Sequence, residues 1–533
     1  MLNGFGWGDV KSIYTLDTET DPFQFKRDPL PFCMGLFTGD KFYHTWGDDC
    51  IERMHRRLLS LPLAIVFVHN GGKFDFFYMM DWIASLKEML IINGRIVSAK
   101  MWGCEHELRD SFAIMPFALK QYKKERIDYR CFEREYREGH RKKIIRYLRK
   151  DCQYLHELCV DFVDRFGDHL TIGGTSKNEM KKLYTFTCLK PAQDKEIREP
   201  FYYGGRVQCF EKGIIKPTRG YKIIAYDLNQ CYPYSMREFQ HPISEQDWTS
   251  TTYITDNTFF LTVQGTNHGA FPVRRKDGLH FDVKNGIFNV SIHEFRAATE
   301  TGMFECNDMV RCYNFEKSTN FAKFVDRFHE LRRDAQLSGD DVGALFYKYV
   351  GNSCYGKFAQ NPDNYYSYML TDDSTNLMGD GWEPCVVFEF AGYILWERPS
   401  ASRKRYNVAT AASITGAARS LLIHALAKCK RPLYCDTDSI ICEGLYDVSI
   451  DKTKLGSWKV EGAGNLLAIG GRKLYALFDS GKCIKMASKG VHLSESEIVD
   501  VAKGRIVTWQ KDSPTFDFKT HTARYLTRQV KMT

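Results

Sequence analysis

At 533 residues the chain exceeds one ordinary core, so it divides into two or more domains. Its 44% apolar and 14% aromatic content excludes a disordered or fibrous protein, and the excess of 74 basic over 66 acidic side chains fits a polyanionic partner only where positive charge is concentrated. The 17 cysteines show no C-x-x-C spacing and read as reduced core thiols, and no run of eighteen apolar residues suggests a membrane span.

The N-terminal stretch "MLNGFGWGDVKS" lacks a basic segment followed by an apolar run, so a soluble, intracellular protein is expected. "SIYTLDTET" and "LAIVFVHN" read as strands. A helix follows near 142–166, where Leu148, Cys152, Leu155, Cys159, Phe162 and Phe166 recur at intervals of three and four. That order predicts an α/β domain. From 167 to 200 the pattern weakens through "GDHLTIGGTSKNE" and "KPAQDKEIREP", which predicts a domain boundary. "YKIIAYDLNQCYPYSM" is a strand ending in a turn, and a mixed stretch with "KDG" and "KNG" turns runs to about 318. Phe321, Phe324, Phe328 and Leu331 line a helix, "SGDD" breaks it, and Val342, Leu345 and Tyr349 line the next, an αα-hairpin. Residues 362–404 lack clean periodicity, and "NVATAASITGAARSLLIHALAKC" is a helix leading into "YCDTDSI".

The last stretch carries Asp436 and Asp438 two positions apart. On a strand the two carboxylates share a face and repel, so a cation belongs between them; the alternative is a solvated hairpin turn. Asp17 and Glu19 repeat the pattern more than 400 residues upstream. Asp75 and Asp151 can join the first pair and Asp227 the second, so each half can build a carboxylate cluster of the kind that holds two metals for in-line attack at phosphorus. Tyr147 and Asp151 stand i and i+4 on one helix, where the phenol could orient an attacking water. Lys348, Asn352 and Tyr355 form one polar-aromatic face suited to a nucleotide, and Gly356 leaves room for close approach. The basic runs "RKRY" (403–406) and "KCKR" (428–431), and the alternating "ERIDYRCFEREYREGHRKK", read as solvated surface. From the residues alone, a nuclease without synthesis and a non-catalytic nucleic-acid scaffold remain alternatives, separated by a primer-extension assay.

Eight motifs in order carry a resemblance: "LDTETD", "NGGKFD" (Asn70–Asp75), "YLRKD" (Tyr147–Asp151), "YYGGRV", "DLNQCYP", "KYVGNSCYG", "YCDTDS" and "KLY" (Lys473–Tyr475). Spanning residues 17 to 475, they resemble those of family B DNA polymerases, in the protein-primed branch typified by the phage phi29 enzyme. The 121 residues between Asp227 and Lys348 leave room for the branch's first insertion. One departure is that Gln230 and Cys231 stand where the family usually has Ser and Leu.

The resemblance implies α/β and α+β domains: a ribonuclease H-like 3′→5′ exonuclease domain (1–189) and a right-hand polymerase domain (190–533). Within the latter it implies palm (about 190–260 and 405–480), first insertion (about 261–318), fingers (about 319–361), second insertion (about 362–404) and thumb (about 481–533). It implies a template-directed polymerase with proofreading that starts from a terminal protein and displaces strands, with two Mg²⁺ ions per site and Mn²⁺ able to substitute. Asp227, Asp438 and the Leu228 carbonyl would hold one metal pair with Asp436 nearby, and Asp17, Glu19, Asp75 and Asp151 the other, with Tyr147 and Lys124 beside them. Lys348, Lys473 and Arg333 would meet the triphosphate, Tyr232 would exclude a ribose 2′-OH, and Asn352 and Tyr355 would pack on the nascent pair. DNA contacts would come from Thr20, Asn70, Phe74, Ser111, Phe112, Tyr202, Gly204, Gly205, Ser353, Gly356, Thr437 and Tyr475. The implied partners are primer-template DNA, dNTPs and the terminal protein, for a monomer in a host cytoplasm if phage- or linear-plasmid-encoded.

Overall fold

The computed structural model of the protein describes residues 12–23, 29–388, 392–400, 406–511, 514–517 and 522–533, so most of the "RKRY" run and the first eleven residues lie outside the described residues. A ten-stranded sheet organises the N-terminal half. Its centre is parallel: Ala64–Val68 pairs in parallel with Ser12–Thr20 on one side and Glu107–Asp110 on the other. Every residue of Ala64–Val68 is buried, as a strand covered on both faces requires. Ser12–Thr20 next to it ends half-buried, which carries Asp17 and Glu19 to the sheet's rim. The helix Arg141–Phe166 lies across the sheet on the apolar stripe expected from its spacing.

The stretch 167–200, where the sequence pattern weakens, is largely helical. Thr171 caps the helix Ile172–Lys181 by accepting a hydrogen bond from the Gly174 N–H, and Ser176 Oγ donates to the Val350 carbonyl at 2.6 Å. Contact with the Asp341–Phe358 helix therefore overrides the low propensity of two glycines. Pro191 opens the helix Pro191–Phe201 from its first turn, where a missing N–H costs nothing.

Downstream, a five-stranded antiparallel sheet runs Trp458–Gly464, Ile223–Leu228, Ser439–Leu445, Cys429–Asp436, Val207–Cys209. A second sheet joins Gln246–Thr251, Phe304–Phe315, Thr258–Asn267 and Asn285–Ser291, so it begins before position 261. A third contains Lys482–Ser488, Leu474–Asp479, Leu466–Gly471 and Gly213–Ile215. The expected αα-hairpin is present as Ala322–Leu337 and Asp341–Phe358.

Two features tie these parts together. The helix Val408–Ala427, buried nearly all round, carries Arg419, whose guanidinium pairs with Glu294 at 2.6 and 2.9 Å and donates to the carbonyls of Tyr203 and Gly204 at 2.8 Å each. Both members are buried, so removing either strands a charge, at a cost of about 3–5 kcal/mol. Residues 362–404, without periodicity in sequence, contribute a three-stranded antiparallel unit that extends the N-terminal sheet. Its strand Tyr366–Asp372 pairs with Ser85–Ile92, placing Leu370 in the same core as Met89.

Candidate active sites

The N-terminal site is a cavity of about 500 Å³ lined by Asp17, His69, Asn70, Phe112, Lys124 and Asp151 among others. Asp17 and Glu19 project from one strand, Asp151 and Tyr147 from the facing helix, and Asp75 from the short helical turn Asp75–Tyr78. The turn before it, Gly71–Lys73, depends on Gly72, where a Cβ would run into the Ile96 carbonyl. Burial, then the charges of Glu19, Asp75 and Asp151, raises the Asp17 carboxyl well above its usual range. Burial first, then Asp151, pushes Glu19 up to about 8, and burial takes Asp75 to about 7. Asp151 is also raised by burial, offset by Lys124 at 3.6 Å. One oxygen each of Glu19, Asp75 and Asp151 is buried without a hydrogen-bond partner. Acceptor-only oxygens left bare in this way suit a hard cation. Among the described residues, no three His, Cys, Asp or Glu side chains form a group able to hold a metal ion unaided.

Unfolded, Glu19 ionises near 4.5; folded, it keeps its proton to about 8, so folding takes up a proton and stability falls as pH rises between those values. Glu19→Gln removes that loss. In EDTA its melting temperature should exceed wild type by a few degrees at pH 8, and the gap should close at pH 5; an equal melting temperature at pH 8 would contradict the buried-carboxylate account.

In the C-terminal half the strand Ile223–Leu228 delivers Asp227, paired in register with Ser439. Asp436 ends the strand Cys429–Asp436, and Thr437 and Asp438 form the turn to Ser439–Leu445, with Thr437 at φ 60°. The two aspartates therefore flank a tight hairpin rather than share a strand face. The Asp438 carbonyl accepts from the Leu228 N–H at 2.7 Å, fixing this hairpin to the Asp227 strand. Burial, then Asp227 and Asp436, pushes the Asp438 carboxyl to about 6. Lys473 Nζ donates to Asp436 at 2.7 Å, and its own N–H donates to the Tyr434 hydroxyl at 3.0 Å. Gly205 presses on the same turn, where a Cβ would strike the Thr437 side chain.

Above this turn, Tyr232 stacks on Tyr355, ring centroids 4.1 Å apart and 16° from parallel. Beside them Gln230, Arg332, Lys348, Gly351 and Asn352 line a small recess. Arg333 is not part of it; that side chain is exposed and lies 3.5 Å from Asp334. Arg332 follows Phe328 by one helical turn, the spacing that marks the inward face. Sequence reasoning also missed Lys459, which pairs with Asp227 at 2.9 Å and Glu461 at 3.2 Å from the neighbouring strand. Its only signal is that it faces Asp227 in register.

The remaining expected contacts scatter around the two sites. Thr20 closes its strand opposite Pro31, Asn70 (φ 63°) accepts from Arg95 at 2.9 Å, and Ser111 hydrogen-bonds His69 at 3.0 Å. Phe74 meets Phe23 edge to face, and Phe112 lies 4.7 Å beneath the Arg95 guanidinium. Tyr475 packs against Tyr434, and the Tyr202 carbonyl is taken by Arg274. Positions around Gly204 and Gly356 are open, while Ser353 Oγ bonds back to the Tyr349 carbonyl at 2.6 Å.

Residues 120–441 match the family described as DNA polymerase type B, organellar and viral. The DNA-directed DNA polymerase of Enterobacteria phage PRD1 is 45% identical over 488 residues, covering 91% of this chain and 86% of that protein. The DNA polymerase of Bacillus phage phi29 is 25% identical over 399 residues, 66% of this chain and 64% of its own length. Among solved structures, phi29 DNA polymerase with primer-template DNA superimposes with a TM-score of 0.72 at 18% identity, covering 98% of this chain and 100% of that one. Its complex with primer-template and incoming nucleotide gives 0.71, with 99% and 100% covered. The mixed α/β fold is therefore shared with the phi29 enzyme. This chain belongs to the type B DNA polymerases, organellar and viral, in the protein-primed, phi29-type branch. It acts as a DNA-directed DNA polymerase of the phi29 and PRD1 type.

Proposed function

We infer that the protein couples synthesis at Asp227 and Asp438 to 3′→5′ proofreading at Asp17, Glu19, Asp75 and Asp151. The observation that carries this is the presence of two acidic centres on two different sheets, each built from residues distant in the chain. Mg²⁺ or Mn²⁺, held by those carboxylates and the Leu228 carbonyl, would supply Lewis-acid activation of the attacking oxygen and stabilise the leaving one. Mg²⁺ commonly uses one or two carboxylates and completes its shell from water and phosphate, which suits sites without a closed cage.

On this reading the five-stranded sheet is the palm, the αα-hairpin the fingers, the sheet of Gln246–Thr251 to Phe304–Phe315 the first insertion, and the Tyr366–Pro399 unit the second. Residues from 481 on form the thumb. Lys473 neutralises Asp436 and Lys459 pairs with Asp227, while Asp438 and Asp227 would face the triphosphate. Tyr232, braced by Tyr355, closes the space a ribose 2′-OH needs. Lys348, Asn352, Gln230 and Arg332 surround the phosphates. In the other centre Tyr147 and Lys124 orient the attacking water, and Phe112 and Phe74 offer faces for unpaired bases, each worth roughly 1–3 kcal/mol. Priming from a terminal protein and strand displacement complete the proposal, on the strength of the insertions.

Incubating the protein with a 3′-labelled single strand should release deoxynucleoside monophosphate in Mg²⁺ and none in EDTA; survival of the strand in Mg²⁺ would remove proofreading from the reading. For the recess, Arg332→Ala should raise the dNTP KM about tenfold or more, the order of one charge-assisted phosphate contact. Arg333→Ala should leave it unchanged, and the reverse pattern would reject the recess as the phosphate site.

A further inference from the structure

We propose that the hairpin of Val273–Arg275 and Gly278–His280, with Phe281 after it, positions the Asp436–Asp438 turn for synthesis by holding the two segments that support the turn. The proposal rests on the assignment of synthesis to that turn. In the chain the hairpin falls between the strands Thr258–Asn267 and Asn285–Ser291, and Val273 and Val283 pack against the core that includes Phe271 and Phe288. Phe281 has a different neighbour. It is buried with the Arg206 guanidinium 4.2 Å from its ring centre, and the Phe210 ring lies 5.6 Å from the same guanidinium.

Arg206 is a costly residue to bury. Among the described residues no carboxylate pairs with it: Nε and Nη2 both donate to the Gln208 side-chain oxygen, at 3.0 and 2.6 Å, and Nη1 is buried without a hydrogen-bond partner. A charge kept from water without a counter-ion needs compensation, and a ring face offers most where water is excluded. Phe281 therefore helps to keep Arg206 in place as well as filling space.

The Arg206 carbonyl accepts from the Thr437 N–H at 2.7 Å, directly beyond the register that pairs Val207 with Asp436. Thr437 sits at φ 60°, a conformation that a β-branched residue keeps only where its surroundings impose it. The second hold on the turn is Lys473, itself at φ 59°, which donates to Asp436. It too leads back to the hairpin, because the neighbouring Arg472 donates to the Leu279 carbonyl at 3.3 Å. Both supports of the acidic turn thus meet one short hairpin. Without the Phe281 ring, Arg206 would shift toward water and draw its carbonyl away from Thr437, letting Asp436 and Asp438 drift relative to Asp227. A misplacement of about 1 Å in a reacting constellation costs as much as about 10²-fold in rate.

The test compares the full chain with Phe281→Leu, which keeps apolar volume and loses the ring face, Phe281→Tyr, which keeps both, and Arg472→Ala. In EDTA, hydrogen–deuterium exchange of the Thr437 amide should quicken in Phe281→Leu and stay at the wild-type rate in Phe281→Tyr, with Ala64–Val68 as protected as in wild type throughout. With Mg²⁺ and a primed template, Phe281→Leu and Arg472→Ala should each lower the kcat of extension at least about tenfold and leave the dNTP KM unchanged. Phe281→Tyr should restore the wild-type rate. Wild-type extension in both Phe281→Leu and Arg472→Ala would overturn the proposal, as would unchanged Thr437 exchange in Phe281→Leu or an equal loss in Phe281→Tyr. Asp438→Asn separates the proposal from its premise: extension surviving there removes the turn from synthesis, whereas extension lost there and intact in the other variants overturns the role of the hairpin alone.

Discussion

Asp438→Asn is expected to reduce primer extension by at least about 10²–10³-fold, the usual consequence of removing one group that stabilises charge in the transition state. The side chain sits in the turn between Cys429–Asp436 and Ser439–Leu445, its carboxyl raised by burial and by Asp227 and Asp436. Asparagine fills the same volume and keeps the backbone bond from the Leu228 N–H, so the hairpin stays in place. Extension should collapse while degradation of a single strand continues at the wild-type rate. Retained extension would mean that the acidic turn does not perform synthesis.

The mirror experiment has a comparable effect. Asp17→Ala combined with Glu19→Ala removes both carboxylates that the strand Ser12–Thr20 sends into the N-terminal cavity. Release of 3′ nucleotides should fall at least about 10²–10³-fold, extension should persist, and misincorporated ends should survive longer. Above about pH 8, where Glu19 ionises in the folded chain, the double variant should also fold at least as firmly as wild type in EDTA. Loss of both activities in a folded single-centre variant would argue against two independent sites.

The sequence was most readable where local pattern and burial coincide. The parallel strand Ala64–Val68 announces itself as an unbroken apolar run, the helix Arg141–Phe166 by its stripe, and Asp17 with Glu19 by a spacing that a strand converts directly into a shared face. Less was readable where geometry turns on neighbours distant in the chain. Alternation could not tell a strand from a hairpin at Asp436–Asp438, because a turn residue at φ 60° leaves no periodic trace. Two glycines at 173 and 174 looked like a breaker, yet the Asp341–Phe358 helix packs against them and holds a helix there. Adjacent Arg332 and Arg333 differ by a 100° rotation about the helix axis, which decides between the recess and solvent. Lys459 carries no motif of its own, and only the lie of its strand against Asp227 reveals it.

The union of residues 366–399 with the N-terminal sheet has a practical corollary. Leu370 and Leu395 share one interior with Met89 and Ile96, and Tyr393 and Arg398 reach across to Asp81 and Glu88. The segment is therefore not a detachable accessory: excising it would strip the apolar cover from the flank of the N-terminal sheet along Ser85–Ile92.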